Sequence, residues 1–402
     1  MTIEIRSPSE DALEAAMRAG AAAFGDEPHE EDAERHRKTM PLDRFIAAYD
    51  NGKPVGTAAA YPFELTIPGG ALPAGGVTWV GVLPSHRRRG VLTQFMKFQL
   101  EDLRARNEPL AILWASESAI YGRFGYGIAA PVLAMEAERG RFRLRDDPEP
   151  TGVVRFVTAD EAADVFPPVY DRICTSVPGM FARTPEWWTE LRLADPERWR
   201  RGAGPKFFAA YERDGAVEGY AIYRLKSEWQ RGMPLSELRI LEVFGTSAIA
   251  TREVWRFLFG IDLVARLNAH ILDPGSPLLL MVSDLRSLHL GVTDGLWLRL
   301  VDVEAALRAR SYAAEDTLVI GVRDALCPWN AGRYRVGPTV ERTDDEPDLE
   351  LDVADLASVY LGAFDFHTLA RAGRVTERTP GDLERASLLF RTQRPPFCPE
   401  VF

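Results

Sequence analysis

A short basic segment is the first part of the chain whose residue types could do chemistry. Arginines occupy residues 87–89 and are followed by Gly90 and an apolar pattern with helical spacing. A glycine turn that opens a helix presents backbone N–H groups and the positive end of the helix dipole, which together bind a pyrophosphate. The spacing matches neither the P-loop nor the dinucleotide-binding pattern. The segment therefore indicates an anion site of another kind, with a solvated basic start of a helix as the alternative.

A second segment of this kind follows the next apolar run. Residues 114–117 read Trp-Ala-Ser-Glu, and residues 120–127 read Ile-Tyr-Gly-Arg-Phe-Gly-Tyr-Gly. A positioned phenol can donate a proton to a leaving group, so Tyr121 and Tyr126 both have chemical potential. The alternative for Tyr121 is a packed aromatic ring whose hydroxyl reaches solvent.

The elements that must position these segments are predicted from hydrophobic periodicity. A strand at residues 3–5 leads to a helix capped near Ser7 that runs to Phe24, and Asn51-Gly52 predicts a hairpin turn because both residues tolerate positive φ. A strand at residues 77–83 leads through the arginines into a helix, and residues 110–115 form a buried strand. The first unit closes near residue 140.

The same order of patterns restarts after a polar, proline-containing linker at residues 145–152. Residues 154–161 repeat the strand and cap of residues 3–10, and residues 207–215 echo residues 45–52. Two degenerate copies of one α/β unit explain both echoes. In the second copy, the strand at residues 238–245 runs into a helix without an Arg-x-x-Gly turn, so this copy is predicted to bind no cofactor.

The pattern of predicted elements changes after about residue 290. Short strands are predicted at residues 317–322, 334–336 and 349–351, and helical stretches follow Val303 and Val353. This pattern predicts a third, α+β domain. The tail, residues 394–402, contains three prolines, which remove backbone donors and fix φ, so it must run extended.

Composition limits the classes of function. The chain has 402 residues, a net charge of −11 and three widely spaced cysteines, which indicate no disulfide framework and no metal site. The acidic balance disfavours nucleic acid and suits a small cationic substrate, although acidity can also serve solubility alone. Because neither a secretion signal nor a run of about 18 apolar residues occurs, the sequence predicts a cytoplasmic protein with no membrane partner.

The motifs together resemble a known family. Residues 87–92 resemble the Arg/Gln-x-x-Gly-x-Gly/Ala signature of the GCN5-related N-acetyltransferase superfamily, with Leu92 in place of the usual Gly or Ala. With the tyrosine segment, essentially the whole chain resembles the mycobacterial enhanced intracellular survival family of multi-acetylating aminoglycoside acetyltransferases. The resemblance implies a mixed α/β, α+β chain with two tandem acetyltransferase-like domains, at 1–143 and 151–290, then a sterol-carrier-like domain with an extended tail at 291–402. It also implies a homohexamer, a trimer of dimers.

The resemblance further implies acetyl-CoA as co-substrate and no metal. The pantetheine arm would pair with the strand before the arginines, the pyrophosphate would bind the loop and helix start, and the segment after the next strand would complete the site. The implied residues are Val80, Gly81, Val82, Arg88, Arg89, Gly90, Val91, Leu92, Thr93, Ser116 and Glu117. Gly81 is expected to allow close backbone approach. Tyr121 is implied as the general acid and the C-terminal carboxylate of Phe402 as the general base, acting through water; a frayed terminus is the alternative for Phe402.

An oligocationic acceptor requires carboxylates and aromatic walls. The predicted substrate-binding residues are Phe24, Asp26, His36, Trp188 and Glu400. Core packing is the alternative for Trp188, and a surface histidine is the favoured alternative for His36. The resulting hypothesis is acetyl transfer to primary amines of aminoglycoside- or polyamine-like substrates. The alternatives are a protein-lysine acetyltransferase and a non-enzymatic lipid-binding carrier.

Overall fold

The apolar runs of the first 300 residues come together in one continuous mixed sheet. The computed structural model describes residues 3–27, 29–141, 143–146 and 148–402, so Asp147 of the predicted linker lies outside the described residues. The first unit contains β1 (Glu4–Arg6), α1 (Glu10–Ala23), α2 (Glu30–Thr39), β2 (Phe45–Asp50), β3 (Lys53–Ile67), β4 (Gly70–Val82), α3 (Val91–Ala105), β5 (Leu110–Trp114) and β6 (Gly127–Glu138).

The turn between β2 and β3 and the start of α1 can be compared with their sequence signals. Asn51 and Gly52 have φ values of 50° and 75°, so they form the predicted tight turn between β2 and β3. Helix α1 begins later than predicted, because its N-cap is Ser9 and not Ser7. The hydroxyl of Ser9 makes no capping hydrogen bond. The helix therefore depends on packing of its buried face, which includes Leu13 and Met17, against the sheet.

The second unit repeats the first. It contains β7 (Val153–Val157), α4 (Ala159–Val165), α5 (Pro167–Cys174), β8 (Lys206–Arg213), β9 (Ala216–Lys226), β10 (Trp229–Gln230), β11 (Met233–Pro234), β12 (Ser236–Gly245), α6 (Ala248–Gly260), β13 (Val264–Leu272), α7 (Leu278–Met281) and β14 (Gly291–Leu300). The large sheet runs β1-β2-β3-β4-β5-β14 and then β6-β13-β12-β9-β8-β7. From one outer edge inwards the order is β1-β2-β3-β4-β5, and from the other it is β7-β8-β9-β12-β13. The strands of the two units therefore follow each other in the same order, which confirms the duplication predicted from sequence.

The two units exchange their last strands. Strand β14, from the second unit, pairs antiparallel with β5 of the first, where Leu298 faces Ile112. Strand β6, from the first unit, pairs antiparallel with β13, where Met135 faces Ala269. The predicted domain division assigns residues 291–300 to the third domain, but these residues pair with the central sheet. The exchange joins both units into one sheet across β14 and β6.

The third unit carries a separate small sheet in the order β17-β16-β15-β18-β19. Its elements are α8 (Val303–Ala309), β15 (Leu318–Arg323), β16 (Gly332–Val336), β17 (Glu341–Arg342), β18 (Leu349–Asp352), α9 (Val353–Tyr360), α10 (Phe366–Arg371), β19 (Val375–Glu377) and α11 (Asp382–Leu389). Helix α9 lies directly on β6, since a Cβ at Gly127 would come within 2.0 Å of the Ala354 carbonyl oxygen. After α11 the chain runs extended to Phe402, as its prolines predict.

Candidate active site

Strands β4 and β5 diverge, and the gap between them is the centre of the site. Their parallel pairing covers only residues 74–76 and 110–112. Beyond that point β4 bends at a register shift against β3, where Trp79 has a φ of 55°. Within the described residues, the edge of β4 that carries Val80 and Val82 has no ladder partner on the β5 side. This open edge can pair with an extended, amide-containing ligand.

Helix α3 begins at the mouth of this gap. Its N-cap is Gly90, with a φ of 78° and no side chain to satisfy the first backbone donors. The N–H of Gln94 makes the first bond of the helix, to Gly90 at 3.1 Å. The N–H groups of Val91, Leu92 and Thr93 therefore point out of the helix with its positive dipole end, which is the arrangement that binds phosphate oxygens.

The three arginines have different environments. Arg87 is tied back, because its guanidinium donates to the carbonyls of Val82 at 3.2 Å and Ala23 at 3.0 Å. Arg89 lies 3.9 Å from the buried carboxylate of Asp50. Arg88 is exposed and has no ion pair among the residues that the structure describes. Arg88 is therefore the cation best placed to meet a pyrophosphate.

Leu92, the departure from the family signature, does not obstruct the loop. Its side chain is partly buried and packs against the apolar cluster that includes Val91 and Phe95. The bulk of Leu92 thus contacts the protein interior, and its backbone N–H keeps its place at the helix start.

Gly81 also allows close packing between two elements of the protein itself. A Cβ there would lie 2.9 Å from the Cβ of Ala23 and 3.2 Å from the ring of Phe24. The C-terminal end of α1 therefore approaches β4 closely at this glycine, and the approach of a cofactor to Gly81 stays a prediction. This packing brings Phe24 beside the diverging strand.

Two tyrosines follow β5 on the other side of the gap. Tyr121 is buried, and burial, with a smaller contribution from the charge of Glu117, raises the pKa of its phenol. Tyr126 packs edge-on against it at 5.8 Å, and burial also raises the pKa of Tyr126. Ser116 and Glu117 are exposed at the end of β5. A phenol whose pKa is raised stays protonated at neutral pH and can donate that proton.

Three of the five predicted acceptor residues line one cavity. Phe24, Asp26 and His36 surround a space of about 310 Å³, together with Trp79 and Trp199. Phe24 is 57% exposed, so its ring forms an open wall of this space. The cavity lies against the bent part of β4, which places it next to the gap.

His36 is part of the site interior and not a surface histidine. Its Nδ1 lies 2.7 Å from the hydroxyl of Tyr61, in hydrogen-bond contact, and its ring meets Trp79 edge-on at 5.0 Å. Burial lowers the pKa of His36 to about 4, and the carboxylate of Asp32 partly opposes this effect. His36 is therefore neutral at pH 7. Sequence reasoning missed Tyr61 and Trp79, because both looked like ordinary strand residues.

Trp188 and Glu400 do not line the cavity, and both predictions need correction. Trp188 is 2% exposed and packs against Tyr170 in the core of the second unit. Glu400 is 5% exposed and pairs with Arg183 at 2.5 Å and Arg192 at 3.6 Å. Because its charge is already neutralised, Glu400 offers no carboxylate to a cationic substrate.

The chain end is held in place and not frayed. The ring centroid of Phe402 lies 5.0 Å from that of Phe63 and 5.8 Å from that of Phe181. Phe63 stacks in turn on Tyr61, the partner of His36, so aromatic contacts connect the terminus to the cavity that His36 lines. The terminal carboxylate has no ion pair among the described residues.

The second unit lacks the open helix start. The N-cap of α6 is Ser247, whose hydroxyl accepts a hydrogen bond from the N–H of Ala250 at 3.1 Å. A Cβ at Gly245 would lie 2.5 Å from the backbone of Thr251, so this turn is closed by its own chain. The start of α6 therefore lacks the uncapped geometry of the α3 start, and the absence of a cofactor from the second copy stays a prediction.

Within the part of the chain that the structure describes, no cluster of three His, Cys, Asp or Glu side chains could hold a metal ion. Over the same residues, no helix combines the length and the apolar character needed to cross a bilayer.

Comparison with family models identifies all three units. Residues 4–129 and residues 179–300 each match an acetyltransferase (GNAT) domain, and residues 303–399 match a sterol carrier protein domain. The order of the three matches agrees with the fold predicted from sequence. The last match begins after β14, in agreement with the pairing of that strand to the central sheet.

Whole-chain relatives are similar along almost the full length. An uncharacterized N-acetyltransferase of Streptomyces avermitilis is 43% identical over 92% of both chains. The crystal structure of Eis1 from Mycobacterium abscessus has a TM-score of 0.86 at 34% identity and covers 99% of this chain and 100% of its own. The N-acetyltransferase Eis of Mycobacterium tuberculosis is 34% identical over 98% of both chains. On these similarities, the chain belongs to the Eis-like family of GCN5-related N-acetyltransferases, enzymes that transfer acetyl groups.

Proposed function

We propose that the first unit transfers acetyl from acetyl-CoA to primary amines of aminoglycoside- or polyamine-like substrates. The observation that carries this proposal is the glycine-capped start of α3 at the mouth of the gap between β4 and β5. An anion site and an open strand edge lie side by side there, and they match the two parts of the CoA arm.

The donor, acetyl-CoA, fits the residues of this gap. Its pyrophosphate would meet the exposed guanidinium of Arg88 and the N–H groups of residues 91–93. The amides of its pantetheine arm would pair with the backbone of Val80 and Val82, and Ser116 and Glu117 would flank the thioester end. The thioester supplies an activated acyl group, so the protein has to provide positioning and proton transfer.

The acceptor fits the cavity beside Trp79. Aromatic faces attract ammonium groups, and Asp26 offers a carboxylate at the exposed rim. His36 is neutral and adds no repulsion toward a cation. These features favour a small polycationic amine.

Two residues would handle the protons of a direct transfer. The amine nitrogen attacks the carbonyl carbon of the thioester, and the C–S bond breaks. The proton lost from the amine passes through water to the carboxylate of Phe402, and the departing thiolate takes the phenolic proton of Tyr121. No covalent enzyme intermediate is required.

The test is release of CoA thiol across a panel of aminoglycosides, polyamines and lysine peptides. Activity with small polyamines but not with peptides is expected, and the reverse preference would favour a protein-lysine acceptor. Deletion of Phe402 should abolish turnover and leave acetyl-CoA binding intact. Phe402→Tyr is the matched control, since it keeps both a carboxylate and an aromatic ring at the same chain position. A native kcat in the deletion variant would refute the assigned base.

A further inference from the structure

The second unit has a cleft that corresponds to the cofactor gap of the first. The parallel pairing of β12 with β13 covers residues 236–240 and 264–269, and it ends where Ile240 faces Ala269. It then continues to Gly245 away from β13, as β4 continues away from β5. The duplicated fold has therefore kept the divergence of these strands, although the anion-binding turn at the helix start is missing.

The C-terminal tail of the same chain fills this second cleft. Phe397 belongs to the buried cluster that contains Phe244 of β12, and Ile271 of β13 packs against the same cluster. The space left between the diverging strands and the tail is only about 80 Å³. Phe397 is also fixed by its backbone, because its N–H donates to the carbonyl of Pro178 at 2.9 Å.

A buried ion cluster fixes the next residues of the tail. Arg183 has 0% of its side chain exposed and lies 2.5 Å from both Glu242 and Glu400. Arg192 lies 2.9 Å from Glu242 and 3.6 Å from Glu400. Glu242 is on the diverging part of β12, so the cluster links the wall of the cleft to the tail. Two arginines and two glutamates balance in charge, which a buried cluster requires.

We propose that the second cleft is a receptor for residues 394–400 of the chain's own tail, and that Arg183 and Glu242 set the register of the tail through Glu400. The degenerate acetyltransferase unit thus acts as a positioning element for Phe402 in the first unit. The part that concerns catalysis rests on the proposed function; the part that concerns the tail does not.

Register matters because the tail is short and anchored. Two residues separate Glu400 from the terminus, so a shift at Glu400 moves the ring of Phe402 out of its contacts with Phe63 and Phe181. A displacement of about 1 Å in a catalytic group can lower a rate by roughly a hundredfold. Arg183, Glu242 and Glu400 are positioning residues in this account and do not contact the substrates.

Thiol labelling of the full chain tests the receptor directly. Cys398 is buried in the tail, and Cys327 is buried in a different cluster from Phe397, the one that includes Phe95 and Trp297. Alkylation of each thiol is followed by mass spectrometry in the native protein, in Glu400→Gln and in Phe397→Ala. Glu384→Gln, an exposed charge deletion on α11, is the matched control.

The proposal predicts that both tail variants speed alkylation of Cys398 by about tenfold or more, because a buried charged hydrogen bond or a buried ring is lost. Cys327 and the Glu384→Gln control should keep their native rates. Equal acceleration at both cysteines, or none at Cys398, would overturn the receptor role.

Turnover tests the positioning role separately. Glu400→Gln should lower kcat at least tenfold with an unchanged Kd for acetyl-CoA. Faster alkylation of Cys398 together with a native kcat would overturn the positioning role. If the native protein turns over no amine at all, the proposed function fails, and the labelling result still decides whether the cleft holds the tail.

Discussion

Replacement of Gly90 by alanine tests the backbone conformation of the anion loop without changing its contacts. Gly90 has a φ of 78°, and a Cβ added there meets no atom within 4 Å. The substitution therefore introduces backbone strain and no steric clash. Gly202 is a matched control, with a φ of 76° and equally open surroundings, on a turn of the second unit.

The strain sets the expected magnitude. An L-residue in the left-handed region costs roughly 1–2 kcal/mol. The loop around Gly90 is exposed, so it can relax out of this conformation in the absence of ligand. Acetyl-CoA binding must then restore the loop, and the full cost appears in its affinity. At 1.4 kcal/mol per factor of ten, the Kd should rise about 5- to 30-fold.

Isothermal titration of acetyl-CoA into the native protein, Gly90→Ala and Gly202→Ala measures this effect. The Kd should rise in Gly90→Ala alone, whereas Gly202→Ala should lose some stability and keep the native Kd. A native Kd in Gly90→Ala would refute the role of the α3 start as the pyrophosphate site. An equal rise in both variants would assign the effect to general destabilisation.

Three further predictions concern the rest of the site. Tyr121→Phe should lower kcat by roughly 10²- to 10⁴-fold without changing the Kd of acetyl-CoA, since it removes only the proton donor; steady-state kinetics and titration check this. Asp26→Asn should raise the KM for a polyamine by roughly two- to fivefold, as expected for an exposed ion pair, while Trp188→Phe should leave that KM unchanged. The unfolding free energy should fall as pH drops from 7 to 5, because His36 stays neutral when folded and takes up a proton when unfolded. From its folded-state pKa of about 4, the loss is roughly 2 kcal/mol. Denaturant unfolding of the native protein and His36→Gln at both pH values measures it.

The outcomes that contradict these predictions are distinct. A native kcat in Tyr121→Phe would refute the assignment of Tyr121 as the general acid. A higher polyamine KM in Trp188→Phe would return that residue to the acceptor site. An identical pH dependence in the native protein and His36→Gln would show that the buried imidazole is not the group that titrates.

Features that depend on short-range rules could be predicted from sequence. The Asn51-Gly52 turn, the strand before Pro84 and the glycine that caps α3 each depend on the conformational freedom of residues next to one another. The resemblance of residues 87–92 and 114–127 to a known family then indicated which chemistry this geometry supports. These segments form the donor half of the proposed site.

Features that depend on distant partners could not be predicted. Glu400 looked like a substrate ligand because it is near Phe402, but Arg183 and Arg192 lie more than 200 residues away along the chain and neutralise it. The exchange of β6 and β14 has the same cause, since no local signal specifies pairing between strands of different units. The packing of Gly81 against the end of α1 is a third example, because the two lie more than 50 residues apart along the chain.

The stoichiometry of acetyl-CoA binding tests the central claim most directly. The claim is that the start of α3 forms the donor site and that the corresponding cleft of the second unit holds the tail. Calorimetric titration should give one acetyl-CoA per chain, and Arg88→Glu should weaken this binding strongly. Two molecules per chain, or binding that Arg88→Glu leaves unchanged, would contradict the account.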